Sequence, residues 1–154
     1  MEQAIRPLLL SLLLIASGGS FAQMDMESFT PGAVYRVTMV RTDANSQAEY
    51  LEQLNKVYIP TLEAAKKQGM ITDYTLLTGD FANENDFNVM MLVEFPNLAA
   101  LDETPASKAK WDAIRDDLRA KAGGKSAVDA VIGSYVGMRT MVGTKVMRQR
   151  VPKS

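Results

Sequence analysis

The chain contains no histidine and no cysteine. Those two absences close more chemistry than any motif opens. No Ser-His-Asp or Cys-His nucleophile can be assembled. Zinc and copper lose their usual nitrogen and sulfur ligands, and no proximal His or Cys is there to hold a haem iron. No metal and no cofactor is therefore expected, and acid–base work is left to carboxylate, tyrosine, lysine and arginine. A surplus of charge is missing too. Seventeen Lys and Arg stand against 18 Asp and Glu, a formal net charge of −1, which argues against nucleic acid as a partner. Without disulfides, stability has to come from packing within the chain and against any partner subunit.

Long apolar runs are absent apart from "LLLSLLLIA", residues 8–16. It is too short to cross a bilayer as a helix, which takes about 20 residues. Arg6 precedes it, and Ser20 and Ala22 occupy the small-residue positions of a cleavage site before Gln23. Residues 1–22 therefore read as a signal peptide. The protein is expected to be exported, to the periplasm or the medium, with no membrane span after cleavage. Cleavage takes one acidic and one basic residue, Glu2 and Arg6, and leaves the net charge unchanged.

The chain beyond the signal peptide is long enough for one domain. Residues 23–33 read as an irregular lead-in ending in a Pro-Gly turn. "VYRVTMVRT" (34–42) reads as a strand. Ser46 and Glu49 have the spacing of a capping box. Leu51, Leu54, Tyr58, Leu62 and Ala65 then form the apolar stripe of a helix, interrupted by Pro60 and closed by Gly69. Ile71–Thr78 and Phe87–Phe95 read as a hairpin whose second strand is apolar on both faces. Thr104 and Pro105 start a second helix with Trp111, Ile114 and Leu118 on its buried side. It is expected to end near Gly123-Gly124. "SAVDAVIG" reads as a helical turn at most, residues 134–146 as the last strand, and residues 148–154 as a basic, solvated tail.

The order β-α-β-β-α-β with an antiparallel four-stranded sheet is an α+β, ferredoxin-like arrangement. Helices cover one sheet face, and the apolar residues on the reverse need a second cover. On "VYRVTMV", "YIPTLEAAKKQG", "ITDYTLLTG" and "FNVMMLVEFPNLAALDE", the chain resembles the dimeric α/β-barrel superfamily, in particular its NIPSNAP-like and EthD-like members. The resemblance spans about residues 34–146 and implies a homodimer in which two sheets close face to face over the domain 34–147. It also implies a site between sheet and helices. The catalytic histidine frequent in characterised members has no counterpart here. An RNA-recognition domain shares the element order, but "FNVMMLVEF" lacks the basic-glycine start such a sheet needs.

Arg36, Glu94 and Arg139 are placed together on the face away from the helices. They read either as an anion-binding cluster or as a charge network fixing dimer register, and the second is favoured because buried ion pairs penalise wrong pairings more than they stabilise right ones. Tyr35, Tyr58 and Trp111 are placed between sheet and helices, as pocket wall or as plain core. Tyr74 lies on an edge strand. Asp80, Glu84 and Asp86 lack the alternation of a calcium loop and read as a solvated hairpin tip. The function expected is binding of a small apolar or aromatic molecule, or of a protein partner. The alternative is a cofactor-independent monooxygenase or isomerase, with Tyr58 or Tyr74 positioning an aromatic substrate and Arg36 or Arg139 stabilising developing negative charge.

Overall fold

The computed structural model describes residues 28–43 and 45–153; the expected signal peptide and residues 23–27 of the lead-in lie outside the described residues. Four strands, β1 (Phe29–Thr42), β2 (Asp73–Thr78), β3 (Val89–Phe95) and β4 (Arg139–Pro152), form one antiparallel sheet in the order β2-β3-β1-β4. Helices α1 (Gln47–Lys67), α2 (Pro105–Lys121) and α3 (Lys125–Gly137) and a short 3-10 turn (Leu98–Leu101) complete a β-α-β-β-α-α-β arrangement. The ferredoxin-like sheet expected from the sequence is present, with β1 and β3 at its centre.

Local signals explain most of these elements. In α1 the buried residues Tyr50, Leu54, Val57, Leu62 and Ala65 recur at helical spacing, and the helix runs through Pro60. Its end is closed by the Met70 amide on the Ala65 carbonyl (2.9 Å) and the Gly69 amide on that of Lys66 (3.0 Å), with Gly69 at φ 67°. A left-handed residue at this point suits glycine. The start of α2 is fully capped. Thr104 Oγ1 accepts from the Ser107 amide at 3.1 Å, and Ser107 Oγ accepts from the Thr104 amide at 2.9 Å. The start of α1 differs from expectation. Ser46 is the N-cap but its side chain makes no capping bond, because its backbone is helical (φ −97°, ψ −1°) where side-chain capping needs an extended one.

Three further expectations are corrected. The segment read as a single turn is the 13-residue helix α3, so Tyr135 and Val136 are helical and the last strand begins at Arg139. Val128, Val131, Ile132 and Tyr135 are spaced by three and four, and the helix turns that one stripe to the core. The supposed tail is strand as far as Pro152. It pairs with Phe29–Pro31, and the ladder closes with the Lys153 amide on the Ser28 carbonyl at 2.9 Å. Pro31-Gly32, read as a turn, sits at a β-bulge between Pro31 and Val34. A Cβ on Gly32 would stand 2.8 Å from Gln149 Oε1, so a larger residue there would have to move the Gln149 side chain aside.

The core lies on the helix side and has two parts. Val34, Val93 and Phe95 meet Leu62, Ala65 and Ile114, while Val40, Val89 and Met91 meet Tyr50, Leu54 and Tyr135. Partly buried Tyr58 packs against both. On the reverse, Met39, Met90 and Leu92 are only half covered, and Leu77 and Met147 are 48% and 49% exposed.

Candidate functional site

Directly opposed residues of antiparallel strands share a face. The register sets Tyr35 against Glu94 and Arg36 against Val93, so the expected grouping is exchanged. Tyr35 lies on the open face, where its hydroxyl donates to Glu94 Oε2 at 3.0 Å. That bond, and then burial, hold the Tyr35 phenol above its ordinary pKa. Arg36 lies on the helix side instead. Arg139 is also on that side. Its Nη1 donates to the Tyr50 hydroxyl at 3.1 Å, and its guanidinium lies 5.3 Å from the Tyr135 ring centre and 6.0 Å from that of Tyr50. The expected Arg36–Glu94–Arg139 cluster therefore does not form. With a side-chain period of two, a shift of one residue in assigned phase moves a whole strand's set to the other face.

What the structure does bring together is Arg36 and Trp111. They line a cleft of about 270 Å³ with Phe95, Leu101, Arg115 and the carboxylates of Asp102 and Glu103. Three elements place them. β1 presents Arg36 beside the end of β3, the 3-10 turn supplies Leu101, and the capped start of α2 fixes the helix that carries Trp111 and Arg115. The Arg36 guanidinium lies 5.3 Å from the Phe95 ring centre. Lys108 and Arg115 both pair with Asp112 on their own helix, Lys108 at 2.7 Å. Arg36 makes no ion pair among the described residues. The cleft thus offers an indole wall, a phenyl floor and one cation with no carboxylate of its own, suited to a planar apolar body bearing negative charge.

Tyr35, Tyr58 and Tyr74, the tyrosines singled out from sequence, are dispersed. Burial, then the neighbouring Tyr50 and Tyr135, raise the Tyr58 pKa, while Arg36 and Arg139 pull it back. Tyr135 is raised by burial, against the pull of Arg139. The two rings of Tyr50 and Tyr135 meet edge to face, 6.2 Å apart at 81°. Tyr74 stands apart on β2. Its hydroxyl donates to Glu63 at 2.6 Å, and that bond, before desolvation, pushes its pKa up to about 12. Tyr50, Tyr135, Phe95 and Arg115 were not singled out from sequence. Tyr50 could have been found from its place four residues ahead of Leu54 in the buried stripe of α1. Tyr135 could not be found while its segment read as a strand. Among the described residues no three Asp or Glu side chains gather as a metal group, and no helix is long and apolar enough to cross a membrane.

No protein-family model and no curated sequence matches the chain. Among solved structures, a dimeric ferredoxin-like protein from an uncultured marine organism is 13% identical, with 79% of this chain and 88% of that one covered at a TM-score of 0.44. HapK from Hahella chejuensis is 11% identical, with 75% and 91% covered at 0.43. A NIPSNAP family protein of unknown function from Agrobacterium tumefaciens is 10% identical, with 79% and 89% covered at 0.43. At TM-scores below 0.5 these likenesses carry no argument about activity, ligand or assembly. The solved structures that the chain is similar to include a NIPSNAP family protein and a dimeric ferredoxin-like protein.

Proposed function

We propose that this protein is exported, that a second copy covers the open face of its sheet, and that each copy binds a small molecule with an aromatic or apolar body and a negative charge in the cleft beside Trp111. The observation that carries the binding reading is Arg36, a cation with no ion-pair partner among the described residues, at the wall of a 270 Å³ cleft beside Phe95 and Trp111. A cleft of that size takes a molecule of one or two rings. A carboxylate or phenolate on such a molecule would meet the guanidinium, and the rings would lie against indole and phenyl. Support for the pairing comes from the apolar reverse of the sheet, which no helix among the described residues covers.

Native mass spectrometry of the protein taken from its exporting cell tests these points together. The expected result is a chain beginning at Gln23, in pairs, each subunit carrying a defined small mass that Arg36→Ala loses. A chain that retains residues 1–22 overturns the export reading. Empty subunits, or a bound mass that Arg36→Ala keeps, overturn the binding reading.

A further inference from the structure

The open face is not uniformly apolar, and the charges within it fit a second copy of this chain. Four residues of the four-stranded region carry charge at open-face positions: Arg41 on β1, Asp73 on β2, Glu94 on β3 and Lys145 on β4. Two of them are satisfied within the chain. Asp73 pairs with Lys66 at 2.7 Å, and Arg41 donates to the Glu84 carbonyl. The other two, Glu94 and Lys145, make no ion pair among the described residues. Among the described residues the Glu94 carboxylate accepts only the Tyr35 hydroxyl, on Oε2. Around them lie Val37, Met39, Met90, Leu92, Leu77 and Met147.

We infer that two copies meet through this face in one register, set by two reciprocal ion pairs, Glu94 of each copy with Lys145 of the other. The inference rests on the pairing proposed above. Glu94 stands opposite Tyr35 and Lys145 opposite Val37, so the two groups flank β1 on opposite sides and cannot reach each other along one strand pair. In a two-fold contact, if residue i touches residue j of the other copy, then j touches i as well. An acid and a base set off-axis on opposite sides of one strand meet that requirement. A two-fold axis lying in the interface and crossing β1 between Tyr35 and Val37 brings each group over its complement. Tyr35 holds one carboxylate oxygen of Glu94 and leaves the other to accept from the lysine. The apolar surround supplies the attraction, which alone would let one sheet slide on the other. Any slip buries an unpaired Glu94, so the charges select the register.

Sedimentation of the purified protein over a range of concentrations tests this. Glu94→Lys and Lys145→Glu each set like charges against each other and are expected to weaken the dimer by roughly tenfold or more. Mixing those two variants is expected to give heterodimers in preference to either homodimer, because both contacts become complementary. Both changes in one chain restore a homodimer. Glu94→Gln keeps an acceptor for Tyr35, removes only the charge, and is expected to weaken the dimer several-fold. Single variants that dimerise as tightly as the wild type, or a mixture that forms no heterodimer, overturn the ion-pair assignment. If Leu92→Arg still splits the dimer in that case, the face-to-face pairing itself stands. A wild type that is monomeric at every concentration overturns the pairing together with its register.

Discussion

The two faces of the sheet carry similar side chains and meet different ends. Under the helices Val34, Val40 and Val89 are sealed completely, and Ile114 reaches down to close the gap between α2 and the strands. On the reverse Leu77 and Met147 stay about half exposed, and the Tyr35 hydroxyl donates to Glu94 on that side. Even the cations follow this division. Arg139 is stacked on two tyrosines under the helices, whereas Lys145 has only the open side to face. A chain can bury one face of a sheet with its own helices, but the second face needs another body of the same extent. An apolar face left without one is a surface in search of a partner.

The sharpest way to break that contrast is to make comparable changes on each side. Ile114→Ala, on the sealed side, is expected to lose about 2–5 kcal/mol of unfolding free energy whatever the protein concentration, read by urea titration. A loss below about 1 kcal/mol would mean that the helix side is packed more loosely than its burial indicates. Leu92→Arg, on the open side, is expected to leave a folded monomer with a near-native circular dichroism spectrum while abolishing the dimer. A Leu92→Arg protein that still pairs would show that the open face is not the interface.

Smaller effects sharpen the helix side. Thr104→Ala removes the acceptor that holds the Ser107 amide and is expected to cost about 1 kcal/mol. It should also weaken ligand binding in the cleft, since that cap fixes the start of the helix carrying Trp111. Unchanged stability would show that Ser107 or water replaces the cap. The finest test is the pH response of Tyr74. Its folded pKa, about 12, lies above the ordinary tyrosine value of 10.0. The bond to Glu63 therefore contributes its full stability below about pH 10 and loses it as pH rises through about 12. The ultraviolet titration of the wild type minus that of Tyr74→Phe should show this late phenol, and Glu63→Gln should bring it back down. A Tyr74 that titrates at the ordinary value even with Glu63 present would remove the bond from the account.

Much of this was legible because it is local. The start of α2 could be placed to the residue, since Thr104 and Pro105 act through bonds within one turn. The apolar run of β3 and the glycine that ends α1 were equally readable. Arg36 and Trp111 could be picked out as chemistry-bearing residues, but not as neighbours, because they come together only when α2 lies across the sheet. Three misreadings share one cause, which is that a short local pattern has more than one context-dependent meaning. "SAVDAVIG" reads as a helical turn and the residues from 134 as a strand, until the core takes Val128 and Tyr135 together on one helix. Pro31-Gly32 fits a turn or a bulge until Gln149 lies across it. Ser46 fits a capping box until its backbone conformation is known.

By itself, then, the sequence determined the class of chemistry excluded, the presence of the four strands with α1 and α2, and the antiparallel ferredoxin-like sheet, since composition, period and caps act over a few residues. Only the tertiary structure decided which way Tyr35 and Arg36 point. Adjacent residues of a strand differ in nothing but phase, and phase is fixed by the register with β3, some sixty residues away along the chain. That single choice set Arg36 in the cleft with Trp111 and left Glu94 on the open face.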